Sequence, residues 1–193
     1  MIGSVKTGDW DNNESDSFIY HTIDDILSAA TPSITLPADQ KPNIILLHAG
    51  TVNFVLNKNE ADAPERLGNL VDFITDNNPD ALLIVAQLIP NTKPHVAPQI
   101  PLYNAAIALV IAERARKGKK VILTSMAGVK EEHVPDQSHP DEAGARIMAK
   151  RFYDAIVEGG RRGFISKVEG EFVDRGASSV YENKGGIKGL GEL

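Results

Sequence analysis

The chain has 193 residues, 42% of them apolar and 24% charged, with a formal net charge of -6 and no cysteine. That length supports one domain with a sizeable core, and the acidic balance argues against nucleic acid or an anionic membrane surface as a partner. No run is long enough to span a bilayer and residues 1–6 do not read as a secretory signal, while the missing cysteines exclude disulfides, thiolate metal ligands and a thiol nucleophile but leave the compartment open.

Residues 1–5 are short and apolar and read as a strand; residues 6–17 are polar and read as a loop. Thr22 followed by Asp24 and Asp25 has the form of a capped helix start, which predicts a helix over 23–30. Pro32 and Pro37 then bracket a connection. Residues 43–50 are a continuous apolar run ending in Gly50, as in a strand buried on both faces of a parallel sheet. Leu67, Leu70, Val71 and Ile74 keep helical spacing within 61–77. Residues 81–88 form a second buried strand, 90–101 a proline-rich loop and 102–117 a helix. A third buried strand spans 119–126, a loop spans 127–138, and the last strong helix spans 140–158. Pro140, Asp141 and Glu142 suit the first turn of that helix, and Gly159-Gly160 resembles its C-cap.

Strand and helix alternating with short connections predict a doubly wound α/β domain with a mostly parallel sheet. Ligands bind such sheets beyond the C-terminal strand ends. The loops after Gly50, Gln87 and Met126 lie there, and so does Asp136-Gln137-Ser138-His139-Pro140. A carboxylate three residues before a histidine can accept a hydrogen bond from one imidazole nitrogen. The other nitrogen is then free to take a proton from a hydroxyl nucleophile. His21, His95 and His133 show no ligand spacing, and no metal site or cofactor is expected. His48, ending a buried strand, is expected to be a hydrogen-bonded core residue. No glycine-rich phosphate loop follows a strand, which disfavours a nucleotide-binding module.

Three stretches together resemble the SGNH-hydrolase (GDSL-type) esterase superfamily, nearest its carbohydrate esterases such as acetyl xylan esterases. Asp136-x-x-His139-Pro140 followed by Asp141-x-Ala143-Gly144 is similar to the family's final block. Leu46-Leu47-His48-Ala49-Gly50-Thr51 resembles the strand entering its G-x-N-D block, and Ala86-Gln87-Leu88-Ile89-Pro90 the strand between the two. The resemblance implies a flavodoxin-like three-layer α/β/α fold over residues 1–168, with residues 169–193 as a flexible tail. It implies hydrolysis of carboxylic (acetyl) esters, on small molecules or carbohydrate, with His139 as general base and Asp136 as its orienting partner.

Three departures from the family pattern bear on activity. The G-D-S block, with its nucleophile and usual first strand, is absent, so the nucleophile is unknown. Ser4, Ser125 and Ser138 are the alternatives, and none sits on a strand-to-helix elbow. The G-x-N-D block reads Gly50-Thr51-Val52-Asn53, with valine where the oxyanion-binding asparagine belongs. Tyr20 stands nearest the second glycine donor, where its ring is expected to crowd the site. Gly50, Asn53 and Tyr20 are therefore the oxyanion- and substrate-binding candidates. Two readings stay open: an esterase domain without its nucleophile block, or a degenerate member that binds a carbohydrate or other ligand without cleaving it.

Overall fold

The computed structural model describes residues 5–6 and 14–166, with side chains from Ser15 onward. The expected strand start at residues 1–4, including Ser4, and the expected tail from Glu169 lie outside the described residues. Strand β1 (Val5–Lys6) pairs antiparallel with β2 (Glu14–Ser15). These belong to one compact unit; the remaining elements belong to another.

That second unit begins with α1 (Ile23–Ile34). Thr22 is its N-cap: the Thr22 side chain accepts from Asp25 N, and the Asp25 carboxylate accepts from Thr22 N. The helix runs through Pro32, which was expected to bound a loop. Buried Ala30 and Ile34 hold its last turn in the core, and Asn78 Nδ2 donates to the Ile34 carbonyl, so tertiary contacts override the proline.

Strands β3 (Ile44–Leu47), β4 (Leu82–Ala86) and β5 (Val121–Thr124) form a parallel sheet in that order. Ile44 lies beside Leu82, and Ile84 beside Ile122. All five residues of β4 are buried, as a central strand covered on both faces requires. Helix α5 (Glu142–Arg161) covers the face carrying Leu82, Ile84 and Ile122, with Ala155 against them. Leu83 and Val85 point the opposite way, where α3 (Ala63–Asn77) and α4 (Gln99–Arg116) pack on β4 and β5. Helix α1 packs on α3. This is a three-layer α/β/α arrangement with a three-stranded sheet among the described residues.

Two local differences have physical causes. Strand β3 is less buried than the apolar run predicts: Leu46 is 49% exposed and Ile44 and Ile45 are half-buried. Among the described residues β3 is the sheet edge, and α5 lies over β4 and β5. His48, two residues past Leu46 on the same face, leaves part of its surface exposed, while the protein packed around its ring pushes its pKa down to about 4. Gly159 and Gly160 lie inside α5 rather than capping it. A Cβ on Gly159 would come within 2.2 Å of Leu82 Cδ2, so the glycine lets the helix approach the sheet.

Candidate active site

The loop between β5 and α5 carries the Asp136–His139 pair. Asp136 Oδ1 accepts from the backbone N–H of Ser138 at 3.0 Å and of His139 at 2.7 Å. Its Oδ2 lies 2.6 Å from His139 Nδ1. The two backbone donors, His139 first, and then the His139 ring hold the Asp136 carboxyl well below the usual carboxylate range. The His139 side chain is 82% exposed and that of Asp136 54% exposed. Among the described residues no hydroxyl donates to His139 Nε2. The Ser138 hydroxyl accepts from Asn91 Nδ2, and the Ser125 hydroxyl accepts from Ala127 N.

The loop is held from both sides. Gln137 has φ 74°, a left-handed backbone that costs a residue with a Cβ, and its carbonyl accepts from Thr92 N at 3.0 Å. Asn91 is buried, its Oδ1 accepting from Lys93 N while its Nδ2 reaches Ser138. The loops after β4 and β5 are thus stitched together beneath the dyad. Asp141 caps α5 by accepting from Gly144 N, and its own N–H donates to the His133 carbonyl. Nothing in the sequence marked Asn91, since a polar residue after a proline in a long loop is ordinary there. The strain at Gln137 had no sequence signal either.

The remaining candidates gather after β3. Gly50 precedes the short helix α2 (Thr51–Val55) with φ 125°, a conformation that favours glycine. A Cβ there would meet Tyr103 Oη at 2.6 Å. Tyr103 is buried edge-on to Phe54 and donates to the Ala49 carbonyl, and burial pushes its phenol up. Asn53 is fully buried: its Oδ1 accepts from Ile23 N and its Nδ2 donates to the Lys58 carbonyl. In this arrangement the Asn53 amide pins α1 to the turn after α2. Val52 is half-buried. Tyr20 has φ 60°, again the backbone of a glycine, and the residue is 71% exposed.

The structure therefore joins Asp136 to His139, and Asn53, in the short helix that Gly50 precedes, to the segment following Tyr20. Both groups follow C-terminal ends of the parallel strands. Among the described residues no three histidines or carboxylates are gathered as a metal site would require, and no helix is long and apolar enough to cross a membrane.

No family model matches the chain, and no curated protein matches it. Solved structures do. A family 3 carbohydrate esterase from Clostridium thermocellum superposes with a TM-score of 0.69 at 24% identity, covering 86% of this chain and 80% of that one. An acetyl esterase gives 0.66 at 18% identity, over 84% and 82% of the two chains. A GDSL-like lipase from Bacteroides thetaiotaomicron gives 0.56 at 16% identity, over 72% of each. The α/β fold of this chain is the fold of those carbohydrate and acetyl esterases and of the GDSL-like lipase.

Proposed function

We propose that the domain is of esterase type, acting on carboxylic esters, with acetylated carbohydrate as the substrate class. The observation that carries this reading is the 2.6 Å contact between Asp136 Oδ2 and His139 Nδ1 in a fold shared with esterases. With Nδ1–H donated to Asp136, the lone pair of neutral His139 lies on Nε2. Nε2 takes a proton from an attacking hydroxyl as that oxygen bonds to the acyl carbon. It returns the proton to the leaving alcohol when the C–O bond breaks. Gly50 and Tyr20 are the proposed backbone donors near the developing oxyanion. Each working donor of this kind contributes about 3 kcal/mol. No hydroxyl among the described residues meets Nε2, so the nucleophile stays unassigned and turnover is expected to be weak.

One observation favours a second reading, a ligand-binding domain that does not cleave. By the motif resemblance Val52 takes the place of the oxyanion-binding asparagine, and the neighbouring Asn53 amide is fully buried and engaged. Turnover of 4-nitrophenyl acetate and release of acetate from acetylated xylo-oligosaccharides separate the two. Weak turnover lost in His139→Ala supports the esterase reading. Turnover that survives His139→Ala removes the dyad from the chemistry. Saturable binding of the acetylated oligosaccharide without acetate release supports the second reading.

A further inference from the structure

We propose that the outer face of α4 is a self-association surface, pairing antiparallel with α4 of a second copy of this chain. This inference does not depend on the catalytic reading.

Helix α4 turns Ile100, Tyr103, Ile107 and Ile111 into the core. The opposite face of a surface helix is ordinarily polar. Here that face carries Pro98, Leu102, Ala105, Leu109, Ala112 and Arg116 at alternating spacings of four and three, all of them exposed. Leu102 is 66% exposed and Leu109 75%. The outer face of α5 is different, with Glu142 paired to Arg146 and Lys150 to Asp154 across single turns. From Pro98 to Ala112 the stripe is apolar, and its four-three spacing is that of a helix–helix seam.

A second copy is the occupant that the pattern fits. The stripe reads the same from either end about position 107. A two-fold axis there sets Leu102 opposite Ala112 and Ala105 opposite Leu109, and each contact recurs once by symmetry. Every pair places a large side chain against a small one, which fills the seam while letting the helices approach. The same register brings Arg116 of one copy to Pro98 of the other. Beside that end of α4 stands Glu60, in a cleft shared with Gln99 and Leu102. Glu60 and Arg116 form no ion pair among the described residues, although the Glu113 carboxylate lies near Arg116, whose Nε donates to the Ala112 carbonyl. The two-fold arrangement gives each its complement, at both ends of the seam.

Helix α4 has 18 residues and is about 27 Å long. A contact one helix wide lies at the small end of specific interfaces, so the dimer is expected to be reversible at micromolar concentrations. Sedimentation velocity of the full chain from low to high micromolar concentration is the test. A monomer–dimer equilibrium is expected. Leu109→Lys, at a solvent-exposed position whose folding is checked by circular dichroism, is expected to weaken it by about tenfold or more. Glu60→Arg and Arg116→Glu are each expected to weaken it, and the double exchange to recover it. A wild-type chain that stays monomeric throughout overturns the proposal, as do larger open-ended species or a Leu109→Lys variant that dimerises like wild type. Dimers that survive with no recovery on charge exchange overturn the antiparallel register.

Discussion

The two oxygens of Asp136 have separate tasks. Oδ1 accepts both backbone N–H groups of the turn, which shapes the loop, and Oδ2 accepts from the imidazole, which orients the ring. Asp136→Asn therefore tests orientation without removing the side chain. If the amide oxygen keeps the two backbone donors, its NH2 group faces Nδ1 and requires that nitrogen to accept. Neutral His139 is then expected to move from the Nδ1–H to the Nε2–H tautomer, visible in nitrogen-15 shifts of the ring. An unchanged tautomer would show that the contact does not set it. The carboxyl of Asp136 is also expected to titrate below the value of about 3.9 that an unfolded aspartate has. Its contribution to stability is present above that value and lost as pH falls toward its folded midpoint. Solvent screens so exposed a group, so the readout is the Asp136 carboxyl carbon shift rather than the unfolding curve. A midpoint at or above the ordinary value would contradict the hydrogen bonding described.

Helix α5 brings the final loop to the sheet, and Gly159 sets how closely it lies. Alanine in a helix interior is favoured over glycine by about 1 kcal/mol. Against that gain, the added Cβ would stand 2.2 Å from Leu82 Cδ2 and 3.2 Å from Cδ1. Leu82 is fully buried in the central strand, and overpacking of this kind costs about 1–3 kcal/mol. The clash is expected to win, so Gly159→Ala should lower stability by about 1 kcal/mol in urea unfolding. A stabilised variant would mean that the helix slides freely on the sheet. This residue also shows what the sequence conceals. The parallel strands, the capped start of α1 and the Asp–His loop were legible because each rests on local pattern: continuous apolar runs, a Thr–Asp capping box, a fixed three-residue spacing. Gly159 looked like a helix end because its reason is a leucine 77 positions away. The burial of Asn53 and the stitching of Asn91 to Ser138 likewise depend on distant partners. The exposure of Leu46 depends on sheet order, which an apolar run does not encode.

At the scale of the whole domain, the strand ends opposite the dyad loop are tied by charge. Arg114, late in α4, donates to both carboxylate oxygens of Asp72 on α3, at 3.1 and 2.6 Å, and to the Gly68 carbonyl at 3.2 Å. Lys119, entering β5, reaches Asp72 at 2.8 Å and Asp76 at 2.9 Å. Burial raises the Asp72 carboxyl, but hydrogen bonds from Lys119 and Arg114 outweigh it and leave the group below its ordinary value. Charged hydrogen bonds contribute about 1.5–3 kcal/mol when buried. The Asp72 side chain is 37% exposed and Lys119 keeps Asp76, so Asp72→Asn is expected to cost nearer 1 kcal/mol at neutral pH. Because the folded carboxyl titrates low, this contribution is present above about 3.9 and fades as pH falls through the folded midpoint. The stability gap between wild type and Asp72→Asn, measured by urea unfolding, should therefore be full at neutral pH and narrow in acid. Any ester turnover by the chain should be unchanged at neutral pH, because the network lies at the end of the sheet away from the loops that carry Asp136, His139 and Gly50. A gap of equal size at both pH values would assign the loss to packing rather than to the charge of Asp72.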